Sequence, residues 1–251
     1  MKKVWLILRK ELKEIIQQRP LILTLCTVPL LFVVLGGWIL YSTQASRLSI
    51  SSGGQTDLAS AITTELDVGN LLRMYFLVMP LFLPAIIAAY SIVGEKNSHT
   101  LEPLLATPLE TWQLLTAKSL SAMIPAIAAT WVSAGLYIAE LAIFTVPGVL
   151  GQVITPAYLI LLILTAPVLT LTPVALTVMA SSRFNEPRTA AQASSVIFVV
   201  LVLVFSSVGR GQVISPLASF ISTFIMAAVG MVLFWIAMGI FQRESILTRW
   251  K

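Results

Sequence analysis

Six apolar stretches alternate with shorter polar segments along the chain, at about 21–41, 74–94, 119–147, 156–181, 191–208 and 217–241. The first, from Leu21 to Tyr41, is uninterrupted. At ~1.5 Å per residue its length is about 31 Å, one hydrocarbon core. The last three stretches carry no charge, and the third carries only Glu140. Segments this long and uniformly apolar must satisfy their backbone groups internally, which excludes barrel strands and leaves helices. The pattern predicts an all-α polytopic membrane protein, a single transmembrane domain over 1–251 with six transmembrane helices.

The polar segments predict the rest of the architecture. In residues 2–18, Val4, Trp5, Leu8, Leu12, Ile15 and Ile16 share one helical face. Arg9, Lys10, Lys13, Glu14 and Gln17 lie on the other, with Leu6 and Ile7 as exceptions. Such a helix, over about 1–20, lies in the cytosolic interface with its basic face toward anionic headgroups, and Pro20 breaks it from the first span. An ordinary basic flank of a membrane helix is the alternative. Thr43-Gln44-Ala45 imitates a signal-peptidase site, but the apolar run before it exceeds the about 7–15 residues of a secretory core. A retained first helix is expected. Residues 42–73, rich in Ser, Thr and Gly, read as the one sizeable outer loop, and 148–155 and 209–216 as short outer links.

The inner loop 95–118 is the most informative. Leu101, Leu104 and Leu105 fall on one helical face, and the following proline disfavours helix at Thr107. Thr107-Pro108-Leu109-Glu110 reads as a capping box that launches the third span. A cytosolic helix this short is marginal in water, so its leucine face calls for a partner protein.

Composition agrees with a membrane. The chain is 57% hydrophobic and 11% charged, against about 25% charged in a soluble domain. Its net charge of +5 comes without basic residues interleaved with stacking aromatics, which argues against nucleic acid. With both termini cytosolic, only Arg47, Arg73 and Arg210 of the 16 Lys and Arg residues lie outside, as the positive-inside rule requires. Cys26 is alone and reads as a small packing residue, and His99 is the only histidine. Neither a metal cluster nor an intramembrane protease fits the one carboxylate and no histidine of the spans. Counted from Lys118 at ~1.5 Å per residue, Glu140 falls about 33 Å along, near the outer interface. An anchor or salt bridge is favoured there over an ion ligand. Prolines 29, 80, 84, 125, 167 and 173 punctuate the spans and either open polar paths or are simply tolerated. Thr24, Thr27, Thr165, Thr170, Thr172 and Thr177 are candidates to line a path, or else bond back to their own helices.

The inner loop resembles the coupling segment of ABC-2 type permeases, the type V exporter architecture. Glu95, Thr100, Leu101, Glu102, Leu104, Leu105, Pro108 and Lys118 match that pattern position by position. Ser182-Arg183-Phe184-Asn185-Glu186-Pro187-Arg188 is similar to the family's second inner loop, with Arg183, Glu186 and Arg188 as its charged members. Phe241–Leu247 resembles the C-terminal ending. The resemblance implies a permease subunit of an ABC exporter in the inner membrane, paired with a second permease. It also implies a separate ATPase that holds the ATP and magnesium and receives each coupling segment in a groove. No cofactor is expected on this chain, which has no Gly-x-x-x-x-Gly-Lys phosphate loop. Ser51-Ser52-Gly53-Gly54-Gln55 mimics the ATPase signature but sits in the predicted outer loop. The cargo stays open among ions, amphiphilic drugs, lipid-linked molecules and peptides. A membrane anchor or signalling subunit on the same fold, which does not transport, is the alternative.

Overall fold

The computed structural model describes residues 2–51, 58–98, 110–145, 148–195 and 216–240. All regular structure among them is helical. Helix α1 (Lys2–Gln17) precedes α2 (Arg19–Ser51), α3 (Leu58–Asn97) and α4 (Thr111–Phe144). A short α5 (Val149–Val153) follows, then α6 (Pro156–Ser181), the start of α7 at 187–195, and α8 (Pro216–Ile240). Helices α2, α3, α4, α6 and α8 are long and apolar enough to cross a bilayer. The remaining expected span, 191–208, begins in α7, and 196–208 lie outside the described residues.

Two boundaries depart from expectation. The stretch 42–73 is helical wherever it is described, because α2 continues to Ser51 and α3 already begins at Leu58. Ile62 and Leu66 recur at helical spacing there and pack on the core around Leu72 and Phe76, which extends the helix past the apolar run. With 40 residues, α3 is about 60 Å long at ~1.5 Å per residue, twice a hydrocarbon core of ~30 Å. The capping box is the second departure. Glu110 has extended backbone (φ −78°, ψ 144°), and its Oε2 accepts a hydrogen bond from Trp112 Nε1. A residue outside the helix cannot serve as the third helical residue of such a box. Thr107 and Pro108 lie outside the described residues.

Two apolar layers hold the bundle. Near α1, Leu21, Leu83, Ile87, Leu115 and Val174 are buried together. At the opposite end, Leu40, Phe76, Tyr137, Leu141 and Tyr158 form the second layer. In its most apolar stretch α3 is 72% buried, whereas α2 and α8 are 17% buried, so α3 is central and the other two form the perimeter. Cys26 is exposed on α2, so it does not pack within this chain as expected. Pro29, Pro80, Pro84 and Pro125 sit inside uninterrupted helices. Pro167 differs, because the turn before it, Leu161–Thr165, is π-helical.

Candidate functional site

At the end of the bundle that carries α1, three helices meet around one lysine. Lys118 lies in the early turns of α4, where Leu114, Leu115 and Ala117 are buried and carry it inward, leaving it 3% exposed. Its Nζ stands 2.7 Å from Glu95 Oε2 of α3 and 3.2 Å from Glu11 Oε1 of α1. It also donates to Ser91 Oγ at 3.2 Å, and Ser91 donates in turn to Glu11 Oε2 at 2.9 Å. Helix α1 supplies Glu11 because Leu8, Glu11 and Ile15, spaced by three and four residues, form the stripe it buries. Trp5, Leu6 and Ile16 stay exposed, so α1 is rotated from the orientation in which all its apolar residues face one way.

The electrostatics follow from the geometry. Burial opposes a charge on Glu11, but the Lys118 ammonium and the Ser91 hydroxyl outweigh it and hold the carboxyl below its usual range. Lys10 lies at the rim, 3.1 Å from Glu14 and 3.6 Å from Glu95. Partial burial would lower it, yet Glu14 and Glu95 raise it above its ordinary value. Removing one partner of a buried ion pair strands the other, at about 3–5 kcal/mol.

The cluster brackets the segment singled out above. Glu95 stands just before the end of α3 and Lys118 just after the start of α4, so their ion pair joins the two roots of the chain between them. Asn97 Nδ2 donates to the Asn185 carbonyl at 3.0 Å, which brings the second inner loop alongside. Arg183, Glu186 and Arg188 of that loop are exposed. Beside the cluster, a cavity of about 450 Å³ opens between α1 and α3, bordered by Lys10, Glu14, Gln18, Tyr90 and Gly94. Glu11, Glu14 and Glu95 each bring an oxygen within 4.8 Å of the others, as a metal site would. Two lysine ammonium groups already stand among those oxygens, so the arrangement suits ammonium better than a divalent ion.

Of the expected coupling residues, Glu95 is described and sits in this cluster with Lys118. Thr100, Leu101, Glu102, Leu104, Leu105 and Pro108 lie outside the described residues. Glu11 and Ser91 escape a reading from sequence. A carboxylate set in the apolar stripe between Leu8 and Ile15 was the available signal for Glu11; Ser91 gave none. The candidate path threonines divide. Thr24 bonds back to the Pro20 carbonyl and Thr27 is exposed, both on α2. Thr165 pairs with Thr223 of α8 at 2.6 Å, Thr177 donates to Ser194 of α7 at 3.0 Å, and Thr170 bonds back to the Pro167 carbonyl. Thr172 is buried, with no hydrogen-bond partner for its hydroxyl among the described residues.

No curated protein matches the chain at a significant level. The family model for ABC-2 family transporter proteins matches residues 5–222, which takes in α1, the lysine cluster, both inner loops and the start of α8. Several helices long and apolar enough to cross a membrane and this match agree: the chain belongs to the ABC-2 family of transporter proteins, a family of membrane transport components.

Proposed function

We propose that this chain is the membrane-spanning permease of an ABC exporter, working as a pair of permeases driven by separate ATPase subunits. Both termini lie in the cytosol and the protein resides in the inner membrane. The observation that carries this reading is the ion pair that joins the ends of α3 and α4 beneath the spans. It holds the roots of residues 99–109 together, as a segment that receives a mechanical stroke requires. ATP and magnesium belong to the ATPase, and this chain contributes the docking residues. Leu101 and Leu104 supply apolar anchors, Leu105 and Thr100 complete that face, and Glu102 meets basic or hydrogen-bonding groups. Arg183, Glu186 and Arg188 face the same partner. The permease pair meets through the perimeter of the bundle, where the apolar faces of α2 and α8 are exposed.

Truncating a central apolar anchor commonly costs about 1–2 kcal/mol or more of binding, and removing a paired interface charge about 2–5. Leu104→Asp and Glu102→Lys should therefore insert and pair normally but fail to co-purify the ATPase. Full retention of the ATPase by both variants would defeat this reading.

A further inference from the structure

The segment 95–108 does not include α1, yet α1 reaches into the same cluster. We propose that Lys118 and Glu11 are positioning residues, through which one buried ammonium ties α1 to both roots of the coupling segment so that the three move as a unit. This rests on the reading of that segment as the ATPase-coupling element.

Lys118 reaches two other helices: its ammonium donates to Glu11 Oε1 and Ser91 Oγ and forms an ion pair with Glu95 Oε2 at 2.7 Å. Ser91 donates its own hydrogen to the second Glu11 oxygen. If one helix moves alone, a charge is left buried and unpaired. If all three move together, every contact survives. A cavity of about 450 Å³ opens beside the contact of α1 with α3, and the polar contacts between the two helices lie at its edge. Apolar contact through Leu8 and Ile15 is non-directional, whereas the ion pairs and hydrogen bonds of the ammonium are aimed at particular atoms and set the register.

The test uses spin labels on exposed positions of α1 and the second inner loop, Lys13→Cys and Ser182→Cys, in a Cys26→Ser background. Pulsed EPR of the permease in lipid nanodiscs, with the labelled chain diluted into excess unlabelled chain, should give one narrow distance distribution. Lys118→Met and Glu11→Gln should broaden it about twofold or more. Glu11→Gln leaves the Lys118–Glu95 pair intact and serves as the test if Lys118→Met fails to fold. With the co-purified ATPase, ATP and vanadate should shift the distance in the parent protein. In the two loosened variants ATP hydrolysis should persist within about twofold while the shift is lost. Variants that keep the narrow distribution, or that broaden it and still follow the nucleotide, overturn the proposal. Failure of the parent to hold any ATPase would sink the coupling reading instead, and the distances without ATPase would still decide whether the tie positions α1.

Discussion

Gly69 faces Val153 so closely that a Cβ at position 69 would lie 2.8 Å from Val153 Cγ2. The valine is stiff at χ1, and the Gly69 carbonyl is pinned by the Tyr137 hydroxyl at 2.5 Å. Alanine at 69 gains about 1 kcal/mol of helix propensity, but overpacking costs about 1–3. Gly69→Ala should lower the thermal stability of the purified protein, and adding Val153→Ala should restore it. A coupling energy of about 1 kcal/mol or more is expected from that double-mutant cycle, and simple additivity would show that α5 does not press on α3 here. Gly37 presents the opposite case: a Cβ there would lie 2.9 Å from Glu140 Oε1, the far end of a flexible side chain. Glu140 lies four residues before the end of α4, as its spacing from Lys118 predicts. Of the two roles favoured there, anchor or salt bridge, no salt bridge is found among the described residues; the carboxylate lies against Gly36 and Gly37 of α2. The reason is local, since two glycines leave room for it there. Glycine pairs can be read in a sequence, but the partner that fills the space they leave cannot.

At the scale of one element, α6 carries a defect and its repair. The Ala166 amide bonds to the Leu161 carbonyl, five residues back, so the Leu162 carbonyl would next look to residue 167. That residue is Pro167, which has no N–H. Trp131 of α4 supplies the missing donor, its Nε1 standing 3.0 Å from the Leu162 oxygen. Trp131→Phe should leave that carbonyl unpaired and cost about 1–3 kcal/mol of stability. Pro167→Ala restores an amide, so the double variant should be more stable than Trp131→Phe alone. Equal unfolding temperatures for the two would mean that the carbonyl was not the target. The prolines and the length of α6 were legible in the residues, because hydrophobicity and missing donors are properties of single positions. The π turn was not, because it depends on a tryptophan from another helix. The ends of α2 and α3 that flank residues 52–57 were misread for a related reason: Ser and Thr are compatible with helix once Ile62 and Leu66 find a core.

For the whole molecule, the strongest constraint is charge. Arg73, one of the three basic residues expected outside, donates from its guanidinium to the Val153 carbonyl at 3.2 Å, which gives it a structural partner where it stands. Lys10 and Lys118, by contrast, gather at the end that carries α1 and both inner loops. The length of α3 adds a second handle on orientation. Its surplus over one hydrocarbon core lies toward Leu58, since Asn97 is held against the inner loop at Asn185. Asp67 is exposed on that surplus and Arg183 is exposed at the other end. In a Cys26→Ser background, an impermeant thiol reagent added to intact cells should label Asp67→Cys and spare Arg183→Cys until the membrane is permeabilised. The inverse pattern would place the lysine cluster on the outside, away from ATP, and would remove the basis for coupling through residues 99–109. Labelling of both positions in sealed cells would mean that the bundle does not separate the two ends at all.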